Sequence, residues 1–236
     1  MSEIEKSENV ITTYKERSLH AALKRYFCPD EALHELKIGK FVADACDGKV
    51  IFEIQTGNLS RLAKKLDYYL ANTEYDVVIV HPLARNRRIL WLDEETGEFV
   101  RAPRLSPKHE SLFDGISNLY YLKDYIGNSR ISFCFPIMEI DEIRFCDGYG
   151  KNNKIRATSV DRLAGEIYSI EYVKSVEDIR DAVCSVLPNS EFGRAELSHS
   201  LNLKELKLWS AQKLLLELGI LSCRKEGKKL MFQKNQ

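Results

Sequence analysis

Two carboxylates and one amide stand inside sequence that otherwise predicts buried β-strand. Asp44, Glu53 and Gln55 lie in the stretch VADACDGKVIFEIQ (42–55), whose other residues are mostly apolar. Two carboxylates on one half-buried sheet face repel each other unless a proton or a cation lies between them. A hard divalent cation suits such a pair, because Mg²⁺ binds through one or two carboxylates and keeps several waters. The pattern therefore predicts a Mg²⁺ (or Mn²⁺) site, if the strands bring these side chains together.

The dipeptide Asp47-Gly48 predicts the turn that brings them together, since Asp-Gly favours a two-residue type I′ hairpin loop. Such a loop gives three cross-strand pairs: Cys46 with Lys49, Asp44 with Ile51, and Val42 with Glu53. Because side chains alternate along a strand, Asp44, Glu53 and Gln55 then project from one face. Asp44 and Glu53 become diagonal neighbours, a separation that charged side chains can span.

A third acid comes from the segment before the hairpin. Residues 12–27, TTYKERSLHAALKRYF, have the apolar spacing of an amphipathic helix. Glu16 precedes Leu19 by three residues and Leu23 by seven, so it belongs to the inward stripe. Glu16 is therefore predicted to approach the same carboxylates. His20 follows it by one turn, where a packing or capping role is the competing interpretation.

These side chains need a small α/β framework to hold them. The pattern predicts strands near 33–38, 40–46 and 49–55, followed by a helix that Asn58 caps. The apolar run at 75–83 suits a strand that is buried on both faces. Residues 87–93 are predicted to form its neighbour, closed by a turn at EETGE. The order αβββαβ(β) describes a unit that ends near residue 100.

At these residues the chain resembles the PD-(D/E)xK nuclease superfamily, over about residues 12–93. Asp44 with Glu53-Ile54-Gln55 reads as D-x8-E-x-Q, and a glutamate on the leading helix, here Glu16, occurs in members such as Holliday-junction resolvases. The resemblance implies a restriction-endonuclease-like core with a mixed sheet and metal-dependent hydrolysis of DNA phosphodiester bonds. Asp44, Glu53 and the Ile54 carbonyl would be the metal ligands. Superfamily nucleases often dimerise to cut both strands, so a homodimer is also admitted.

Gln55 stands where the superfamily has a lysine. An amide can orient a water but supplies no charge to the transition state. Glutamine occurs there in some active members, and Lys64 or Lys65 of the next helix is a candidate to replace the missing ammonium. Two alternatives stay open: a nuclease fold that binds DNA without cutting it, or a strand-end Asp44 and an edge Glu53 paired with a lysine.

The remaining chain divides into a middle segment and a C-terminal domain, beyond the core at 1–100. The middle segment, 101–172, is predicted to pack on the core, although its own fold stays undetermined. It reads as a charged loop (101–111), a helix (112–126), a strand-like run (130–145) and a Gly/Asn/Lys-rich stretch that turns helical (147–167). The glycine- and lysine-rich part is interpreted as a mobile basic loop.

Residues 173–236 have the order of a winged helix: three helices, then two strands around Gly227. In that fold the third helix usually enters a DNA groove and the hairpin contacts the backbone. The predicted phosphate-binding residues are the hairpin cations Arg224, Lys225, Lys228 and Lys229. Residues 150–236 carry 15 basic and 11 acidic side chains, although the whole chain is neutral. Winged helices also bind proteins, so an adaptor without nucleic acid remains an alternative.

Composition limits the other classes. The chain has 44% hydrophobic and 30% charged residues, an acidic N-terminus and no 18-residue apolar run, so neither a membrane span nor a secretory signal is predicted. The six cysteines form no CxxC pair and are interpreted as buried thiols in a reducing cytoplasm. The five histidines show no HxH or HExxH spacing, which argues against zinc, and no Gly-rich phosphate loop is present.

Overall fold

The computed structural model describes residues 18–93, 96–145, 158–227 and 229–235. Its main feature is an eight-stranded mixed sheet. The strands are β1 (His34–Ile38), β2 (Phe41–Cys46), β3 (Val50–Ile54), β4 (Asp76–Val80), β5 (Leu83–Leu92), β6 (Phe99–Leu105), β7 (Ile131–Phe145) and β8 (Thr158–Val173). The protein is therefore an α/β protein, as the sequence predicts. A small antiparallel sheet stands apart near the C-terminus.

Helices cover both faces of the large sheet. These are α1 (Leu19–Phe27), α2 (Ala63–Asn72) and α3 (Leu112–Asn118), with 3₁₀ turns at Glu31–Leu33, Leu59–Leu62 and Leu119–Tyr125. Leu19 and Leu23 of α1 pack on Ile54 and Val80 from one side. From the other side, α2, α3 and the last 3₁₀ turn pack on the buried residues of β3, β4 and β7. The expected helix at 12–27 is α1 from Leu19 onward, and residues 12–17 lie outside the described residues.

The strands from β3 to β5 depart from the expected arrangement in one respect. The pairs β3–β4, β4–β7 and β5–β7 are parallel, and the apolar run at 75–83 does form the buried strand β4. However, β5 is not a neighbour of β4. Val77 pairs with Ile131 and Leu83 pairs with Ile137 in one common register, so β4 and β5 lie end to end along β7. Only residues 81–82 separate them, and β8 occupies the other side of β7.

The middle segment is part of the sheet. Residues 101–105, the first part of the expected charged loop, belong to edge strand β6, in which Pro103 is tolerated because an edge strand has unpaired positions. Residues 158–167, within the stretch expected to turn helical, belong to β8, which pairs with residues 133–145 of β7. The helix at 112–126 is α3 followed by a 3₁₀ turn. The unit expected to end near residue 100 thus continues to Val173, and the glycine- and lysine-rich loop lies largely outside the described residues.

The last 60 residues form a C-terminal unit. It contains α4 (Val176–Cys184), β9 (Phe192–Gly193), α5 (Arg194–Leu201), α6 (Glu205–Glu217), β10 (Leu221–Glu226) and β11 (Lys229–Lys234). The three strands make one antiparallel sheet in the order β10-β11-β9, and Gly227 has a positive φ at the hairpin turn. Its core is continuous with that of the large sheet. None of the helices in the described ranges is long and apolar enough to cross a membrane.

Candidate active site

The hairpin β2–β3 places Asp44 and Glu53 in closer register than the sequence predicts. Ala45 pairs with Phe52, and extending this register by one residue sets Asp44 directly opposite Glu53. The expected Asp44–Ile51 and Val42–Glu53 pairs are wrong by two residues. The cause is Asp47, whose side-chain Oδ1 accepts hydrogen bonds from the backbone N–H groups of residues 49 and 50 and makes a four-residue loop. A shift of two keeps every side chain on its face.

Glu53 is a buried carboxylate with two protein donors. Its side chain is 2% exposed. Lys65 Nζ lies 2.6 Å from Oε2, and the Tyr69 hydroxyl donates to Oε1 at 2.9 Å. Burial raises the pKa of Glu53 to about 7, although Lys65 and the Tyr69 hydrogen bond oppose this. The lysine and tyrosine stand one turn apart on α2 and therefore reach the carboxylate together.

Asp44 has a different environment. Its Oδ2 accepts the Ile54 backbone N–H at 2.7 Å and lies 3.3 Å from His20 Nε2. Burial would raise the pKa of Asp44, but the bonds from His20 and Ile54 outweigh it and hold the pKa below its ordinary range. Asp44 is therefore ionised at neutral pH while being only half-buried. The pair offers one ready anionic ligand beside a second whose charge Lys65 balances.

Gln55 turns away from the carboxylates. Its amide Nε2 donates to the Asn58 carbonyl at 2.9 Å, which closes the loop after β3. Its backbone carbonyl accepts His81 Nδ1–H at 2.6 Å, and the Asn118 amide donates to His81 Nε2 at 3.1 Å. Burial lowers the pKa of His81, so the ring is neutral with its proton on Nδ1. Gln55 therefore shapes the loop through both its side chain and its backbone.

The expected third acid and the expected lysine have different outcomes. Glu16 lies outside the described residues. Of the two candidate lysines, Lys65 reaches Glu53 while Lys64 is exposed. Tyr69 has the helical spacing of a core residue and the sequence leaves the role of His20 open, yet Tyr69 contacts Glu53 and His20 contacts Asp44. The sequence signal for Tyr69 is its position four residues after Lys65. His81 gives none, because its contact with Gln55 depends on the β3–β4 pairing.

The donor set suits a hard cation through two ligands. No cluster of three or more His, Cys, Asp or Glu side chains that could hold a metal occurs in the described part of the chain. Asp44 and Glu53 supply the carboxylates that Mg²⁺ binds when waters complete its shell. Each Glu53 oxygen accepts one protein donor, which leaves a second lone pair on each oxygen for a cation.

The predicted phosphate-binding residues of the C-terminal hairpin are not equivalent. Arg224 makes two bonds to Glu191, at 2.6 and 2.8 Å, and lies 3.6 Å from Glu226. Its guanidinium is therefore already paired with carboxylates. Lys225 and Lys229 are exposed. Lys228 falls in a gap of the described residues.

Helix α6, expected to enter a DNA groove, docks on the large sheet unit. Trp209 packs edge-on against Tyr120 with ring centroids 5.2 Å apart. Lys207 Nζ lies 2.6 Å from Asp114 and 3.1 Å from Glu110. Lys123 forms an ion pair with Glu217 at the other end of the helix. These contacts hold one side of α6 against α3 and the 3₁₀ turn that follows it, while Leu206 and Lys213 of the helix stay exposed.

Comparison with known proteins shows the family. Residues 17–174 match the model of a "Domain of unknown function (DUF8091)", and the chain belongs to that family. The match includes all eight strands of the large sheet and ends before α4. An uncharacterized protein of Treponema pallidum (strain Nichols) is 30% identical over 180 residues, which cover 75% of this chain and 70% of that protein. No solved structure matches the chain.

Proposed function

We propose that the chain is a metal-dependent endonuclease that hydrolyses DNA phosphodiester bonds, built on a PD-(D/E)xK core. One observation carries the proposal: Lys65 Nζ lies 2.6 Å from the carboxylate of Glu53, whose strand pairs with that of Asp44. The superfamily site that the sequence resembles contains two acids and one lysine. Here Lys65 of α2 brings the ammonium that Gln55 lacks.

The fold supports this assignment. A leading helix, an antiparallel β1–β2–β3 meander, the crossover helix α2 and the parallel strand β4 follow each other in the order αβββαβ. Helices lie on both faces of the mixed sheet. We assign this part to the restriction-endonuclease-like fold. The C-terminal order α4-β9-α5-α6-β10-β11 agrees with a winged helix.

The residues that would hold the cation are Asp44, Glu53 and the Ile54 carbonyl. A Mg²⁺ or Mn²⁺ ion there polarises a phosphoryl oxygen and lowers the pKa of a bound water. Asp44 is already ionised and needs no proton loss to bind. Lys65, which lies 2.6 Å from Glu53 Oε2, would offer its other N–H groups to a phosphate bound beside that carboxylate. His81 and Asn58 hold the Gln55 loop in place beside these groups.

The test is cleavage of plasmid, linear and branched DNA by the purified chain with Mg²⁺ or Mn²⁺. We expect cutting that Glu53→Ala and Asp44→Ala abolish. Lys65→Ala is expected to lower the cleavage rate at least a hundredfold, since one charged group at the reacting centre is worth about 10²–10³ in rate. Lys64→Ala is the matched control, because it removes the same charge from an exposed neighbour and is expected to cut normally.

Equal losses in both lysine variants would contradict the role of Lys65. Cutting that survives Glu53→Ala, with circular dichroism unchanged, would overturn the assignment of the site.

A second candidate is a DNA-binding regulator that retains the nuclease fold without cutting. The observation that favours it is that Lys65 and Tyr69 each already donate to one oxygen of Glu53, together with Gln55 turned to its own loop. Salt-sensitive DNA binding without cleavage under every metal tested would establish the regulator. Absence of DNA binding at low salt would instead favour a protein-interaction adaptor.

A further inference from the structure

Five arginines lie on one face of the part of the large sheet that is formed by β5, β6 and the adjoining lengths of β7 and β8. They are Arg87 on β5, Arg101 and Arg104 on β6, Arg144 on β7 and Arg162 on β8, and they define the arginine face. We propose that this face, rather than helix α6 or the C-terminal hairpin, is the principal surface that binds the nucleic acid backbone. The inference rests on the proposed function, since it names where the DNA of that site lies.

The strand register places these side chains on one side of the sheet. Arg101 pairs with Trp91 across β5–β6, and Trp91 pairs with Arg144 across β5–β7. In the next row, Arg104 pairs with Ile89, Ile89 pairs with Glu142, and Glu142 pairs with Arg162. Paired residues project from the same face. Arg87 stands two residues before Ile89 and shares that face.

The positive charge of this face is only partly compensated. Glu142 is buried and accepts Arg144 at 2.8 Å, with Arg87 at 3.7 Å. Arg87 also approaches Glu110, at 3.5 Å, but its Nε is buried without a hydrogen-bond partner in the described residues. Across the described ranges, Arg101, Arg104 and Arg162 form no ion pair with a carboxylate. The face therefore keeps an excess of guanidinium groups.

The chemistry of these groups fits phosphate and bases. Guanidinium binds phosphate oxygens in a planar two-bond geometry, and it is weakly hydrated. Trp91 is half-buried between Arg101 and Arg144, whose guanidinium carbons lie 5.2 and 5.5 Å from its ring centroid. An aromatic ring among cations is the arrangement that single-stranded nucleic acid uses for stacking. All seven residues of β6 are exposed, so the strand is accessible.

The face reaches the loop that follows β3. Arg162 Nη1 donates to the Thr56 carbonyl at 3.2 Å, and Thr56 directly follows Gln55. Arg144 shares the face of β7 that carries Ile140 and packs with α1, whereas Glu53 lies on the opposite face, which α2 covers. A backbone bound along the arginine face therefore meets the candidate site around the strand ends at this loop.

The excess of guanidinium groups and the Trp91 ring among them favour nucleic acid as the partner. The C-terminal surfaces offer less, because Lys207 of α6 and Arg224 of the hairpin are already paired with carboxylates.

Fluorescence anisotropy with labelled duplex and single-stranded DNA tests the inference in EDTA, where binding is separate from cleavage. The double variant Arg101→Gln/Arg104→Gln removes two exposed charges from β6. Lys225→Gln/Lys229→Gln removes two exposed charges from the C-terminal hairpin and is the matched control. We expect the β6 variant to bind at least tenfold more weakly and its salt slope to fall by about 2, one for each lost phosphate contact. The control is expected to change affinity less than twofold.

The outcomes separate this inference from the proposed function. DNA binding that the hairpin variant loses and the β6 variant keeps, or that both lose equally, overturns the arginine face while leaving a DNA-binding protein. No DNA binding by the unmodified chain at low salt overturns both. Polyglutamate at matched charge concentration is the last arm, and competition as strong as that of DNA overturns the assignment to nucleic acid.

Discussion

The candidate active site and the arginine face both concentrate charge, but they balance it in opposite ways. Inside the site, the buried Glu53 accepts hydrogen bonds from Lys65 and Tyr69, so its charge is balanced within the protein. On the arginine face, Glu142 forms ion pairs only with Arg144 and Arg87. The other guanidinium groups of the face form no ion pair with a carboxylate of the described residues. A balanced buried cluster holds a geometry for chemistry, whereas an unbalanced exposed one attracts a polyanion. Substitutions that remove a partner should therefore destabilise the first region and leave the fold of the second intact.

The largest effect is expected for Lys65→Ala. At a pH above 7, where Glu53 is ionised, the substitution leaves this buried carboxylate without its counter-charge, and breaking a buried ion pair costs about 3–5 kcal/mol. Urea unfolding measures this as a lower midpoint with an unchanged slope. Arg104→Ala on the arginine face is expected to change the free energy of unfolding by less than about 0.5 kcal/mol. Similar losses in the two variants would break the comparison between the regions.

A smaller effect is expected for Tyr69→Phe. The phenylalanine keeps the packing but removes the hydroxyl that donates to Glu53 Oε1, and an unsatisfied buried acceptor costs about 1–3 kcal/mol. The neighbouring Tyr68→Phe is the control, because Tyr68 does not contact Glu53 and is only half-buried. Urea midpoints of the two variants give the difference. Equal stability would show that the Tyr69 hydroxyl does not hold Glu53.

The pH dependence of stability separates two groups inside the site. The pKa of Glu53 is raised from 4.5 to about 7, so its contribution is full below pH 4.5 and is lost as the pH rises through 7. The pKa of His81 is lowered from 6.5 by burial, so its contribution is present above pH 6.5 and is lost as the pH falls. Between pH 5.5 and 6.5 the two slopes oppose each other, each by up to about 1.4 kcal/mol per pH unit.

Substituting one of the two residues leaves only the other's contribution to the pH dependence of stability. Glu53→Gln is expected to become less stable as the pH falls from 6.5 to 5.5, because only the His81 slope remains. His81→Gln is expected to become more stable over the same interval. Urea midpoints at the two pH values measure both signs. Parallel curves for the two variants would contradict the raised pKa of Glu53 and the lowered pKa of His81.

The smallest effect is expected for Arg224→Ala. Its ion pair with Glu191 is exposed, and exposed pairs contribute little to stability because water and salt screen them. DNA affinity is expected to change less than twofold, since the guanidinium is already occupied. Thermal unfolding and anisotropy measure the two quantities. A loss of affinity as large as that of the β6 variant would shift the binding surface to the C-terminal hairpin.

The local elements around the site could be predicted from the sequence, because apolar period and turn residues act over short distances. The two strands of the β2–β3 hairpin lie within one residue of their expected bounds. Its register could not be predicted, since the Asp47 side chain competes with the type I′ turn that Asp-Gly usually makes. β8 escapes prediction because its sequence alternates weakly and only pairing with β7 makes it a strand. Lys65 could be named as a candidate lysine but not preferred over Lys64, because its contact with Glu53 depends on how α2 packs on β3.

The end-to-end arrangement of β4 and β5 leaves a two-residue joint, His81 and Pro82, on one side of β7. At that joint, Pro82 has no N–H to donate to β7, and the preceding His81 holds the Gln55 carbonyl with Nδ1 while its backbone N–H donates to Cys134. β7 and β8 run past this joint and hold the two halves of the sheet together. At the joint, His81 also accepts the Asn118 amide N–H at Nε2. One residue thus ties the loop after β3, strand β7 and the end of α3 together at the point where the strand pairing along β7 is interrupted.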